Sequence, residues 1–452
     1  MLTKNTEYTV SITDMNNYGY GVARIDGIAV FVPGCAVGDT AKILIIKTAK
    51  SYAVGKLLQI IEPSPQREKD ENICHASQRC GGCNYQHINY ETELLQKQKD
   101  IMFAFKKEGF DNIEVFPVLS AKKVCAYRNK AQFPVGYDKN GKVVCGFYRP
   151  KSHDIVDFPH CSLTPEIFGK IAKTVCDFAN EYKISAYSEE KHKGILRHIF
   201  LRANGDVSEI VLCLVINAKE LPCADKLIKV ISENYPEVCG IVLNFNREKT
   251  NVILGGECKT LYGRDYINDT LCGVKFKISP LSFYQVNHDA AQMLLQKASE
   301  LLKITNDDVL LDLYCGIGTV GLALGKNAKK LYGIEIVEKA VENAKENASA
   351  NGFENAEFYC GDAAKAKEIM AGNKITAVSL DPPRHGLDAG LIEYVAKEIA
   401  PENVLYISCN PSTLARDCKI FKDFGYTFDT AYPVDLFPRT GHCEVVCLMS
   451  KV

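Results

Sequence analysis

The run Val309-Leu310-Leu311-Asp312-Leu313-Tyr314-Cys315-Gly316-Ile317-Gly318-Thr319 changes character partway along. An apolar, strand-like segment ends in a glycine turn, and Thr319-Val320-Gly321-Leu322-Ala323-Leu324 then opens a helical pattern. Glycines let the backbone turn tightly and let a ligand approach the amides at a helix start. Moving outward, the same alternation recurs. KKLYGIEIV is followed by EKAVENAKENASANG, AEFYCGD by a helical stretch, AVSLDPP by LIEYVAKEIA, and NVLYISC by another helix. Strand and helix in strict alternation predict a parallel, doubly wound α/β sheet. The last two strands, YTFDTAYPV and CEVVCLMSKV, have no helical pattern between them and are expected to form an antiparallel edge hairpin.

That texture begins near residue 281 and runs to 452. Upstream, residues 1–62 alternate short strand-like runs with glycine turns, which predicts a small OB-like five-stranded barrel. Glu62-Pro63-Ser64-Pro65-Gln66 is a proline-rich linker, and residues 70–280 form a mixed central domain. A helical segment near 91–109 is expected there, and the stretch to about 118 is placed against the catalytic domain. At 452 residues, 46% hydrophobic and 24% charged, the chain reads as a soluble protein of two to four domains. MLTKNTEYTV lacks the apolar core of a signal peptide, and no stretch is apolar enough to span a bilayer. A cytoplasmic monomer without a membrane partner is the expectation, its 19 cysteines reduced. The net charge of −1 gives no global attraction to a polyanion, so any such partner must meet a local patch.

Gly316, Gly318 and Gly321 satisfy G-x-G-x-x-G, and Glu335 ends the next strand, where an acid can accept from both ribose hydroxyls. This pattern fits a dinucleotide dehydrogenase as well as an enzyme using S-adenosylmethionine (SAM). Two features favour SAM: Asp312 precedes the turn, and the fourth strand ends in Asp381-Pro382-Pro383-Arg384, which resembles the target-base site of nucleic-acid methyltransferases.

Ser408-Cys409-Asn410-Pro411 ends the fifth strand and starts a helix. Cys409 should therefore lie beside Asp381 at the edge where ligands bind. Pro411 suits a first helical turn, whose dipole favours a thiolate modestly. A cysteine there could also be buried filler. Carbon 5 of uracil is a poor nucleophile until a thiolate adds to carbon 6, and a base must later remove the carbon 5 proton so that the thiol can leave. Glu444, at the start of the final strand, is the best-placed base, although a solvated turn residue would also fit the position.

Cys74, Cys80 and Cys83 form C-x5-C-x2-C, and Cys161 in Phe158-Pro159-His160-Cys161 is the fourth thiol within reach. Zinc accepts four sulfurs as readily as an iron–sulfur cluster does, so spacing leaves both open. Residues 121–151 hold eight cations (Lys122, Lys123, Arg128, Lys130, Lys139, Lys142, Arg149 and Lys151) against the single acid Asp138. Tyr127, Phe133, Tyr137, Phe147 and Tyr148 are interleaved. Cations for phosphates and aromatics for unstacked bases suit single-stranded RNA, with Arg128, Lys130, Phe133, Arg149 and Arg197 as the named contacts and Arg202 as an extension. A solvated β-hairpin is the plainer reading.

In order, Phe283-Tyr284-Gln285-Val286-Asn287, the Asp312–Thr319 turn, Asp381-Pro382-Pro383-Arg384, Ser408-Cys409-Asn410-Pro411 and His442-Cys443-Glu444 resemble the RNA (uracil-5-)-methyltransferases. The likeness covers essentially the whole chain and is to the 23S ribosomal RNA branch, with its N-terminal TRAM barrel and [4Fe–4S] domain. It implies Cys409 as nucleophile, Glu444 as base, and Gln285, Tyr314, Glu335 and Asp381 as SAM or active-site contacts, with Asp362 a further one. It also implies a [4Fe–4S] cluster on Cys74, Cys80, Cys83 and Cys161, and an RNA substrate whose uridine is flipped out of the stack. Thr319 stands where the family commonly has Asn, and Cys443 where it commonly has Val. A transfer RNA substrate is the nearest alternative. An adenine N6-methyltransferase would want an aromatic where Arg384 stands, and a redox-sensing RNA-binding protein would not need the Cys409–Glu444 pair.

Overall fold

The computed structural model describes residues 2–150, 152–157, 160–370, 372 and 374–452. Lys151 of the basic stretch, and Phe158 and Pro159, lie outside the described residues.

Six strands open the chain: β1 (Glu7–Ser11), β2 (Asp14–Met15), β3 (Tyr20–Ile25), β4 (Ile28–Pro33), β5 (Thr40–Thr48) and β6 (Tyr52–Glu62). Their order is β1-β5-β6-β4-β3-β2. β1 pairs with β5, and two residues after it ends β2 pairs with β3, so one stretch of chain closes the barrel. Two-residue β2 is thus an addition to the five expected strands. Alternate residues point inward, and Val10, Ala23, Val30, Val32, Ile43 and Ile45 form the interior.

Next come α1 (Tyr90–Lys107) and β7 (Glu114–Val115). Asn89 caps α1 by accepting from the Thr92 amide, 2.9 Å away. The central sheet follows, from β8 (Lys130–Tyr137), β9 (Val143–Tyr148), β10 (Ile155–Asp157), β11 (Leu196–Ala203), β12 (Ile210–Ile216), β13 (Val238–Phe245) and β14 (Glu257–Gly263). α2 (Glu166–Glu181) precedes β11, and α3 (Ala224–Asn234) precedes β13. The order is β10-β9-β8-β11-β12-β13-β14, with only β12 and β13 parallel. Every residue of β11 and β12 is buried. Ile199, Leu201, Leu212 and Leu214 share a core with α2 and α3, whereas Phe200, Val211 and Cys213 face the other way into the core of the C-terminal sheet. Burial on both faces is what makes IVLCLVI an unbroken apolar run.

The hairpin β15 (Ile267–Leu271) and β16 (Val274–Ile278) belongs physically to the C-terminal unit. Ile267, Leu271, Val274 and Phe276 share a core with Leu294, Leu310 and Leu322, and Asn347 and Asn351 accept from the amides of Lys277 and Lys275. The boundary expected near 281 therefore falls too late. The change to alternating strand and helix marks where the sheet starts, and the hairpin that packs on it precedes that change.

The C-terminal sheet is built from α4 (His288–Leu302), β17 (Val309–Leu313), α5 (Thr319–Leu324), β18 (Lys330–Glu335), α6 (Glu338–Ala350), β19 (Ala356–Cys360), α7 (Ala366–Met370), β20 (Ala377–Leu380), α8 (Ala389–Glu393), β21 (Asn403–Ser408), α9 (Pro411–Asp423), β22 (Tyr426–Thr427), β23 (Thr430–Val434) and β24 (Glu444–Lys451). The order is β19-β18-β17-β20-β21-β24-β23-β7, with β22 beside β24. β19 to β21 are parallel to one another and β24 is antiparallel, the arrangement of a Rossmann-like methyltransferase sheet. The final pair is not an edge hairpin. β24 lies inside the sheet, and β7, more than 300 residues upstream, covers β23. Ile101 and Phe105 of α1 pack in the same core as Leu311, Leu380 and Phe421. Among the described residues no helix is long and apolar enough to cross a membrane.

Candidate active site at the switch point of the sheet

Strand order reverses between β17 and β20, and in such sheets ligands bind beyond the strand ends at that point. Leu313 pairs with Leu380, so Tyr314 and Asp381 leave the sheet side by side. Phe283, Gln285, Tyr314, Cys315, Gly316, Thr319 and Asp381 line one pocket there. Gly318, at φ +85°, begins α5, and a Cβ on Gly321 would sit 2.7 Å from the Asp312 carboxylate. Tyr314 itself is held at φ +66°, a left-handed conformation that a non-glycine residue tolerates only where its surroundings dictate it. Asp312 does not face the pocket. It is fully buried, accepts from the Gly321 amide (2.8 Å) and Ser379 Oγ (2.7 Å), and burial pushes its carboxyl up to about 7. Glu335 stands across the turn, accepting from the amides of Gly316 (3.1 Å) and Val337 (2.9 Å). Asp362 is exposed after β19 and caps the next turn through the Ala364 amide.

One strand further, Ser408 of β21 pairs with Val445 of β24, so Cys409 and Glu444 follow from facing positions. Asn410 caps α9 through the Ser412 amide, with Pro411 in the first turn. Burial, then the carboxylates of Glu444 and Asp381, push the Cys409 thiol up to about 11, although Arg384 hydrogen-bonds to it and opposes the rise. Glu444 is buried at 4% exposure, and its carboxyl is held well above the usual range by burial and by Asp381, with Arg384 again opposing. Arg384 Nη2 reaches His442 Nε2 at 3.3 Å, and Asn410 Nδ2 and Thr413 Oγ1 hold the Arg384 carbonyl. Arg384, part of the Asp381-Pro382-Pro383-Arg384 motif but not one of the expected site residues, stands between Cys409 and His442. Its place directly after Asp381-Pro382-Pro383 was the available signal. Phe283, 66% exposed at the pocket, is a second residue outside that expected set.

Cys74, Cys80, Cys83 and Cys161 line a single cavity of about 180 Å³, together with Arg128, Lys130 and Phe147. Among the described residues no three His, Cys, Asp or Glu side chains converge closely enough to hold a metal ion. Arg128 Nε is buried there without a hydrogen-bond partner among the described residues, and burial plus Arg202 and Arg128 bring Lys130 down to about 8. Two of the five expected RNA contacts are corrected by burial. Phe133 is 0% exposed, packed in the central core, and cannot stack on a base. Arg197 is spent on the carbonyls of Asn246, Glu248 and Thr250 and on Asn246 Oδ1. Arg202 likewise donates to the carbonyls of Ser279 and Ser282. Arg149, Lys122 and Lys123 are exposed, whereas Arg128 and Lys130 line the cysteine cavity.

This sheet order, glycine turn and pocket define a Rossmann-like methyltransferase. Comparison with known proteins narrows the class. Residues 248–452 match the tRNA (Uracil-5-)-methyltransferase family, and residues 2–58 match the TRAM domain. The chain is 41% identical to an RNA methyltransferase of Clostridium tetani, over 99% of this chain and 97% of that one. It is 40% identical to one of Halalkalibacterium halodurans with the same coverage. A Pyrococcus abyssi tRNA (uracil-54, C5)-methyltransferase, solved in complex with S-adenosyl-L-homocysteine, superposes with a TM-score of 0.79 at 29% identity, over 98% of this chain and 99% of that one. The chain belongs to the RNA (uracil-5-)-methyltransferase family, and it is a SAM-dependent enzyme with an N-terminal TRAM domain.

Proposed function

We propose that this enzyme methylates carbon 5 of a uridine in 23S ribosomal RNA, through a covalent bond between Cys409 Sγ and carbon 6. The observation that carries the reading is the placement of Cys409 and Glu444 at facing ends of β21 and β24, beside the Asp381 pocket. Gln285, Tyr314, Thr319, Glu335, Asp362 and Asp381 hold SAM, which when bound supplies the methyl group. The residues do the rest. Arg384 stabilises the Cys409 thiolate, whose addition to carbon 6 makes an enolate and renders carbon 5 nucleophilic. Once carbon 5 carries the methyl group, Glu444 removes its proton and the electron pair re-forms the ring double bond as Cys409 leaves. A carboxyl with a raised pKa is suited to that exchange, because it binds and releases the proton near neutral pH.

The four cavity cysteines fit a [4Fe–4S] cluster. All four line one cavity, beside the buried Arg128, whose positive charge would suit an anionic thiolate-bound cluster. Methyl transfer moves no net electrons, so the cluster's place is structural. The TRAM barrel and the exposed Arg149 face supply RNA contacts, and the cysteines, none of them disulfide-bonded, suit a monomeric enzyme of the reducing cytoplasm. A transfer RNA substrate is the second reading, favoured by what the Pyrococcus abyssi neighbour acts on.

The test uses RNA carrying 5-fluorouridine, which has no removable proton at carbon 5. With SAM it should trap the enzyme as a protein–RNA adduct, and Cys409→Ala should form none. An adduct that persists in Cys409→Ala would end the mechanism. Methyl incorporation into 23S ribosomal RNA against transfer RNA decides between the substrates, and a colourless, zinc-loaded protein purified anaerobically would end the cluster assignment.

A further inference from the structure

Glu444 begins β24 at the end of a loop, residues 435–443, that returns from β23. Beside short local turns, such as the Thr440 Oγ1 bond to the Phe437 carbonyl, it is fastened to distant segments by buried polar groups. Asp435 accepts from Tyr90 Oη and Lys97 Nζ, each at 2.8 Å. Lys97, 2% exposed, also donates to Glu93 Oε1 (2.7 Å) and the Phe437 carbonyl (3.2 Å). Tyr127 Oη donates to the Pro438 carbonyl at 3.0 Å.

Most of the fastening converges on Arg439. Its amide donates to Glu93 Oε1 (2.7 Å), and its carbonyl accepts from the amides of Asn84 (3.0 Å) and Tyr85 (3.2 Å), directly after Cys83. Its guanidinium donates to the Ile88 carbonyl (2.9 Å) and to Glu68 (2.7 Å). Arg439 is 4% exposed and sits at φ +68°, a left-handed backbone that such a side chain adopts only where the surroundings impose it. Five residues on stands the base, and between them His442 meets Arg384, which in turn holds Cys409.

We propose that Arg439 is a positioning residue for proton removal. It clamps the loop between α1 and the Cys83 segment so that Glu444 reaches carbon 5 of the bound uridine. This inference rests on the reading of Glu444 as the base. Addition of Cys409, whose thiol proton passes to solvent, and methyl transfer do not involve the carbon 5 proton that Glu444 takes, so loosening the clamp should slow chiefly the last step. A displacement of about an ångström can cost as much as a hundredfold in rate.

Arg439→Ala, Arg439→Lys and Glu68→Gln should be compared with the parent in full-length enzyme with SAM. With 5-fluorouridine RNA, all four should form the trapped adduct at rates within about twofold of one another. With ordinary uridine RNA, Arg439→Ala should turn over tenfold to a hundredfold more slowly and accumulate adduct, with Arg439→Lys and Glu68→Gln intermediate. If Arg439→Ala does not fold, Glu68→Gln carries the test, since it leaves the backbone contacts of Arg439 in place. Unchanged turnover, or turnover lost in step with 5-fluorouridine trapping and without accumulation, overturns the proposal. Failure of the parent enzyme itself to trap 5-fluorouridine RNA would instead overturn the reading beneath it.

Discussion

The nine-stranded sheet and the seven-stranded sheet both bury charged side chains, but they use them differently. In the larger sheet the parallel strands all end at one edge, and Asp381, Cys409 and Glu444 emerge there, Asp381 pushed upward by burial and the other two by burial and neighbouring carboxylates. In the smaller sheet Arg197 and Arg202 emerge from one strand, β11, and are consumed by carbonyls of neighbouring loops. The first group meets carboxylates and burial, which raise its proton affinities, whereas the guanidinium nitrogens of the second are bonded to carbonyls that they tie to the sheet. The difference lies in what surrounds each group and not in residue type.

That contrast can be broken by substitution. Glu444→Gln should reduce turnover on uridine RNA by about 10²–10⁴-fold, with the melting temperature kept or raised, because a buried carboxyl that resists ionisation is replaced by a neutral isostere. The same variant should lower the pH at which Cys409 becomes reactive. Glu444 is among the groups that raise the thiol, so above neutral pH an alkylation-rate profile should shift to the acid side; an unshifted profile would separate the two residues electrostatically. Arg197→Ala should do the reverse. Carbonyls left without donors should cost about 3 kcal/mol in urea unfolding, and the salt dependence of RNA binding should not change. Arg149→Ala, on the exposed face, should leave stability within about 0.5 kcal/mol and reduce the slope of log affinity against log salt by about 1. Asp312 carries a pH dependence of its own. Its folded carboxyl titrates near 7 against an ordinary 3.8, so the folded state keeps a proton that the unfolded state has lost between those values. Stability should therefore fall as pH rises through that window, and Asp312→Asn should flatten the decline in a series of melting curves.

The catalytic sheet was legible because its periodicities are local. Strand and helix alternate along the parallel run, and the order of motifs puts Asp381 and Cys409 at one edge. Glu444 was harder, since its partner in β21 is set by pairing across the sheet. What the sequence hid was long-range. The apolar hairpin 267–278 looks like more of the central domain until its contacts with Leu294 and Leu310 are seen. β7 is two residues long, and nothing in Glu114-Val115 announces an edge strand for a sheet two hundred residues later. The basic stretch misled for a related reason. Cations and aromatics follow one another along the chain, but β8 turns Phe133 into the core, β11 is buried on both faces with Arg197 in it, and Arg149 lies in the exposed turn after β9.

Lys97 meets Asp435 across 338 residues of chain. At ribosomal elongation rates of about 5–20 residues per second, its partner is made roughly 17–70 s later. Until then α1 has no acid from the last loop to neutralise that lysine and no completed sheet to cover Ile101 and Phe105. The N-terminal barrel, with its own core, can close at once, but α1 must wait on the ribosome with its lysine and its apolar face unfinished.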